Sequence, residues 1–375
     1  MQADPIDRAV EKWVAPDDET DYDGKISAYS HYIKLKWLFI SGSIILACLA
    51  AIYALSVGVD YVSFSDAFEV IWGHLSGNPG DPSSDKVEYA VWNIKMPTVC
   101  TGLIAGVGLG TAGAVMQTIL RNPLADPYTT GISSGASFGA SLAIGLGITV
   151  AAGYAIVINA FIFSLIPTAI IIIVSKMKSS SPVTMVMAGI AVMYIFNAMT
   201  TMIKLFISPE ALSSLYAWSV GSIDIAGSGV NGWSAVRIMT AFVVFGVAAL
   251  ILMSRRLNVV STGDETAKTM GVDAGTVRIV ALLIVSMLTA SIVSFTGLIG
   301  FIGLVCPHIA RIFVGSDNRY LIPASAAFGA ALLTIADIIG KTVIYPTTIQ
   351  VGVVTAFIGG PLFLYLIVKQ KKEAW

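Results

Sequence analysis

Few residues in this chain have the types and spacing for chemistry, and each is set in apolar sequence. Gly108-Leu-Gly110-Thr-Ala-Gly113 has the G-x-G-x-x-G spacing that brings backbone close to a pyrophosphate, but that use needs a strand before the glycines and a helix after them. Here they lie inside one apolar run, where small residues serve helix contact. Gly340-Lys341-Thr342 resembles the end of a phosphate-binding loop, yet Ile335 stands where the loop's first Gly is needed. The chain is therefore expected to hold no ATP site and no cofactor. Cys48, Cys100 and Cys306 are isolated from one another, which excludes a disulfide framework or a Cys-x-x-Cys metal site. His308, two residues after Cys306, reads as a structural hydrogen-bonding residue, with no metal implied. Asp126 and Asp337 fall near span ends, whereas ion-coupled carriers place their acids inside the bilayer.

The longest charged interruption runs from Arg255 to Arg278. Thr262 and Glu265 have capping-box spacing, so a short helix is predicted from near Gly263 to Gly271, a favoured C-terminal stop. Asp273 is placed to cap the helix that follows. Such an element, standing in water between two apolar spans, suits a surface on which another protein pushes; an ordinary solvated loop is the other reading.

These groups must be positioned by a membrane-embedded framework. The chain is 56% hydrophobic and 12% charged, against about 25% charged in soluble domains, and its mean hydropathy is +0.81. Its surroundings are a lipid bilayer. A net charge of −1 without any dense basic block argues against nucleic acid as a partner. A helix needs about 20 apolar residues to cross the hydrocarbon. Ten stretches qualify, near 37–58, 97–119, 128–148, 154–175, 183–207, 233–254, 277–296, 298–315, 321–344 and 350–369. The expected fold is an all-α integral membrane protein, a ten-span polytopic helical bundle with short helices at its surfaces.

Ten spans put both termini on one side, and 17 of the 22 Lys and Arg fall on that side. The positive-inside rule makes it the cytoplasm, so the protein is expected in the cell membrane with both termini and the 255–278 loop inside. Residues 1–33 form an acidic cytoplasmic extension with no hydrophobic run, unlike a cleaved signal peptide; residues 34–375 form the transmembrane domain. Residues 64–72 have helical amphipathic spacing and are expected to lie on the outer surface, as is a second cap within 208–228.

Two sets of G-x-x-x-G units, Gly102/Gly106/Gly110 and Gly131/Gly135/Gly139, let the second and third spans pack closely on neighbours. In the fifth span Met193 and its fellow methionines share a region with Asn197, Thr200 and Thr201. Methionine adapts to irregular apolar partners, so the stripe suits either core packing or the lining of a path for a bulky solute, with Thr355 of the tenth span able to face it. Such a composition also fits an ion-coupled transporter acting alone or a membrane receptor.

Several segments together resemble the permease subunits of type II ABC importers for cobalamin, haem and ferric siderophores, the FecCD-type family. They include Leu109-Gly-Thr-Ala-Gly-Ala-Val-Met-Gln117, Arg121-Asn-Pro-Leu-Ala-Asp-Pro127, Gly131-Ile-Ser-Ser-Gly-Ala136, Trp218-Ser-Val-Gly-Ser222, Gly263-Asp-Glu-Thr-Ala-Lys-Thr-Met-Gly271, the stretch from Gly297 to Arg311, and Val351 to Pro361. The resemblance implies a homodimer of ten-span subunits with two cytoplasmic ATPases, where ATP and Mg would bind, and an external solute-binding protein. It implies a coupling helix at Gly263, Asp264, Glu265, Thr266, Ala267 and Gly271. Asn122 and Leu124 would form a cytoplasmic gate, with Ser181 and Pro182 of the 179–184 turn as its companion. The path would run along the dimer axis past Met193, Asn197, Thr200, Thr201 and Thr355. Lys95 and Lys341 stand where the family has Arg at its binding-protein docking positions. They keep the charge but lose the bidentate fork.

Overall fold

In the computed structural model, residues 22–58, 62–78, 80, 85–150, 154–178, 180–225 and 231–369 are described. Residues 1–21 of the expected acidic extension lie outside them. The helices in chain order are α1 (Tyr22–Ser56), α2 (Phe64–Ser76) and α3 (Lys86–Ile119), then α4 (Ile132–Leu146), α5 (Ala155–Met177), α6 (Pro182–Lys204) and α7 (Pro209–Val220). They continue with α8 (Gly232–Ser261), α9 (Asp264–Thr269), α10 (Ala274–Thr296), α11 (Ile302–Val314), α12 (Asn318–Thr342) and α13 (Val351–Lys369). Seven of these are long and apolar enough to cross a membrane: α1, α3, α5, α6, α8, α10 and α12. Of the other three expected spans, α4 and α11 are shorter apolar helices of 15 and 13 residues, and α13 runs from Val351 to Lys369.

The shortening of α4 and α11 has a common cause. Both are entered through backbone that is not α-helical, residues 120–131 with a 3-10 turn at Pro127–Thr130 for α4 and residues 297–301 for α11. Irregular backbone at membrane depth needs partners from the protein itself, and here it has them. The Asp126 carboxylate accepts from the Tyr128 amide at 2.7 Å, and the Thr129 and Thr130 hydroxyls donate to the carbonyls of Asp126 and Pro127. The Ile299 amide donates to Tyr128 Oη at 3.2 Å, so the two entry segments hold each other. Phe301, at φ 69°, turns the chain into α11.

Three helices make the centre. In α3, α10 and α12, 78%, 72% and 67% of the apolar window is buried, against 22 to 33% in α1, α5, α6 and α8, whose remaining surface faces lipid or other protein. Glycine sets the closest approach. A Cβ on Gly106 would stand 2.3 Å from the Gly329 carbonyl oxygen, and one on Gly329 would stand 2.3 Å from that of Gly106. Gly110 abuts the Ser325 carbonyl in the same way, so α3 and α12 touch backbone to backbone. The second glycine series brings α4 onto α5, with Gly135 against the Phe163 carbonyl and Gly139 against that of Asn159.

At one end of the bundle α2 lies as expected from its spacing, with Phe68 and Trp72 exposed. Helix α3 begins earlier than the sequence suggests: it starts at Lys86 and runs through a π-helical turn at Ala90–Lys95, so Lys95 sits within a helix. Helix α7 forms the second surface cap, as expected. His308 differs from expectation: its ring packs edge-on to Phe363 with centroids 6.3 Å apart, and Nδ1 has no hydrogen-bond partner.

Gly106→Ala is expected to destabilise the folded protein by about 3 kcal/mol, because backbone on a second helix must move. Gly42→Ala, which meets nothing within 4 Å, should leave stability equal or higher. Thermal unfolding of both variants in detergent checks this; equal effects would refute backbone contact as the reason for the glycines.

Candidate functional site

Helix α8 does not end where the capping-box spacing suggests. Thr262 takes a right-handed helical conformation, φ −78°, and its hydroxyl donates to the Val259 carbonyl at 2.8 Å, so it closes α8. Gly263 instead is the N-cap of α9, with φ 122° and no side-chain cap, a conformation open to glycine. The chain reverses again after α9. Gly271, at φ 74°, donates to the Lys268 carbonyl and Val272 to that of Ala267, the two bonds of a Schellman stop. Asp273 then caps α10, accepting from the Gly275 amide and the Thr276 hydroxyl. The expected short helix and its neighbour's cap are thus both present, and only the N-terminal device differs.

What holds α9 in place is a residue counted in the sequence only as a charge. Arg278 lies one turn inside α10 and is 1% exposed. Its Nε donates to the Ile119 carbonyl at the end of α3 at 3.1 Å. Nη1 donates to the Ser180 carbonyl at 3.0 Å and to Asp264 Oδ2 at 2.9 Å, and Nη2 donates to Asp264 Oδ1. A planar fork with donors on several edges is what this arrangement requires. Arg121, in a left-handed conformation at φ 47°, adds an exposed ion pair to Asp264 at 3.2 Å. The signal for Arg278 was available: a cation inside an apolar helix demands partners, and Asp264 lies on the neighbouring helix.

Around this clasp the structure gathers most residues expected to act together. Ala267 is fully buried and packs into the main core, while Glu265, Thr266 and Lys268 are exposed. Asn122 Oδ1 accepts from the Leu124 amide at 2.9 Å, fixing a tight turn that leaves Leu124 exposed. Ser181 caps α6 by accepting from the Thr184 amide, with Pro182 as the first helical residue. Ser179 lies outside the described residues. Between α9 and this turn is a cleft of about 620 Å³ whose walls include Ser181, Glu265, Lys268 and Arg278. Both turns, α9 and Arg278 lie together at one end of the bundle, the end to which the span count assigns most Lys and Arg.

The other expected residues lie apart. On α6, Asn197 and Thr201 are exposed and Met193 is half-buried, but Thr200 is buried and its hydroxyl donates to the Phe196 carbonyl. Thr355 is likewise buried, donating to the Gly352 carbonyl. At the opposite end Lys95 donates to the carbonyls of Leu55 and Val57 at 3.0 and 3.3 Å, and Lys341 pairs with Asp337 at 2.6 Å.

A bundle of spanning helices with two half-length helices entered through irregular segments, bearing one short clasped helix at its basic end, defines a multi-pass membrane transport subunit. Residues 45–369 match the FecCD transport family, and the chain belongs to it. It is 38% identical over 355 residues to a Methanocaldococcus jannaschii protein described as an ABC transporter permease, covering 92% of this chain and 98% of that one. It is 32% identical over 340 residues to the hemin transport system permease of Yersinia pestis, covering 90% and 97%. The fold is similar to the solved structure of a transporter described as an ABC transporter of metal-chelate type, in an inward-facing conformation. The TM-score is 0.76 at 26% identity, over 88% of this chain and 99% of that one.

The hydrogen bond from Arg278, reinforced by the charges of Arg278 and Arg121 and opposed by partial burial, holds the Asp264 carboxyl below its usual range. A depressed folded-state pKa gives stabilisation that is complete above the unfolded value of about 3.9 and is lost as pH falls through the folded value. Amide-exchange protection of α9 should therefore stay flat from pH 8 to about 4 and fall below that. Loosening between pH 5 and 7 would contradict the pairing, and Asp264→Asn should abolish the acid-dependent drop.

Proposed function

We propose that this permease works as a homodimer that passes a bulky metal chelate from an external solute-binding protein into the cytoplasm, driven by two ATPase subunits that bind ATP and Mg. Family membership and the likeness to permeases of ABC transporters support ATPase and binding-protein partners. The hemin permease among the relatives and the metal-chelate type of the similar structure support the cargo class. The excess of Lys and Arg at one end supports a cytoplasmic location for that end and for the termini.

The observation that carries the reading is α9. It is a six-residue helix bounded by two glycines in left-handed or extended positive-φ conformations, anchored by one buried methyl and one carboxylate, with its other face free for a partner. Gly263, Asp264, Glu265, Thr266, Ala267 and Gly271 are proposed as the coupling segment seated in the ATPase. Asn122 and Leu124 with Ser181 and Pro182 are proposed as the gate. Met193, Asn197 and Thr201 offer side chains to an axial path, whereas Thr200 and Thr355 support it from within the protomer. Lys95 and Lys341 are proposed to receive acidic groups of the binding protein, exchanging the partners they hold here.

Glu265→Lys reverses a charge on the exposed face of α9 and touches no bond that holds it. The variant is expected to purify as folded permease while retaining at least tenfold less co-expressed ATPase. Unchanged ATPase retention would remove Glu265 from the interface and weaken the reading of α9 as the coupling helix.

A further inference from the structure

We infer that Arg278 is a positioning residue that makes α9 and the two gate turns move as one body. The inference rests on reading α9 as the element on which the ATPase pushes, and adds the route by which the push would reach the gate. One guanidinium donates to three separate segments: Asp264 on α9, Ile119 at the end of α3, and Ser180 before α6. The chain continues from Ile119 through Leu120 and Arg121 to Asn122, and from Ser180 directly to Ser181 and Pro182. Each gate turn is thus within a few bonds of an atom held by Arg278.

Two properties separate this contact from an ordinary surface ion pair. With its partners in place Arg278 is 1% exposed, and a donor left unpaired at such a site is costly. Its donors also leave in different directions along a rigid plane, so displacement of Asp264 turns the guanidinium and pulls on both carbonyls. A lysine has one point charge on a flexible stem and cannot hold all three segments. Arg121 reaches Asp264 as well, but both side chains of that pair are about 40% exposed, and such pairs contribute little. Among the α9 residues, Ala267 contributes only apolar packing, so Asp264 is the polar handle.

The test uses the full complex with ATPase subunits in lipid nanodiscs. Leu124→Cys is introduced after the three native cysteines are replaced, and its labelling by a membrane-impermeant maleimide is timed with and without ATP, Mg and vanadate. The parent is expected to change its labelling rate at least tenfold on trapping. Asp264→Asn and Arg278→Lys should retain the ATPase on co-purification yet show less than a twofold change, while Asp264→Glu should respond as the parent does. Full response in Asp264→Asn and Arg278→Lys, or loss of the ATPase from both, would overturn the inference while leaving the coupling role of α9 intact. Absence of any response in the parent would overturn that role and the inference with it. Should Arg278→Lys fail to fold, the contrast between Asp264→Asn and Asp264→Glu decides the matter alone.

Discussion

A guanidinium buried one turn inside an apolar helix is tolerable only when its donors are engaged, and around Arg278 they draw three chain segments together. Without that cation α9 would be attached to the bundle by the Ala267 methyl, the exposed Arg121–Asp264 pair and two glycine turns, since Gly263 and Gly271 supply reversal rather than grip. The ends of α3 and α6 would then lack a common fixed point. The α9 end of the molecule is therefore organised by one charge whose burial is unfavourable unless its partners are present.

The rest of the bundle supplies a rigid base for that end. Backbone contact between α3 and α12 at Gly106, Gly110 and Gly329 removes the side-chain layer that would otherwise cushion relative movement. Near the basic end the same helices are joined by a polar network: the Thr118 hydroxyl donates to Asn318 Oδ1, Asn318 donates to Asn258 Oδ1, and Asn258 donates to Asp317. In contrast α4 and α11 are half-length, and their entry segments touch through Tyr128 and Ile299. A molecule so built has a stiff centre and a small number of places where backbone conformation can change.

Much of this was legible in the sequence. Apolar length located the helices, glycine periodicity identified the close contacts, and the spacing between Gly263 and Gly271 marked α9 correctly. The failures have physical reasons. Spacing makes Thr262 a cap for α9 because it cannot distinguish a residue that starts a helix from one that finishes the helix before. Apolar length places 128–131 and 298–301 inside spans because non-α backbone buried in protein can have the composition of helix. Spacing groups Thr200 and Thr355 with Asn197 and Thr201, but it does not show which faces the protomer covers: all three threonine hydroxyls donate to their own helix, and only Thr201 is exposed. In the sequence Arg278 is an ordinary cation at a span end, and its three-way contact exists only once α3, α6 and α9 are packed.

The central claim is that motion begins on α9 with energy supplied by partner ATPases. The most direct test is chelate accumulation in proteoliposomes that contain this permease alone or with its ATPase and binding protein, with proton and sodium gradients imposed or collapsed. The account predicts uphill accumulation only in the complete assembly with ATP, unchanged when ion gradients are collapsed. Uphill accumulation by the chain alone in response to an ion gradient would contradict it.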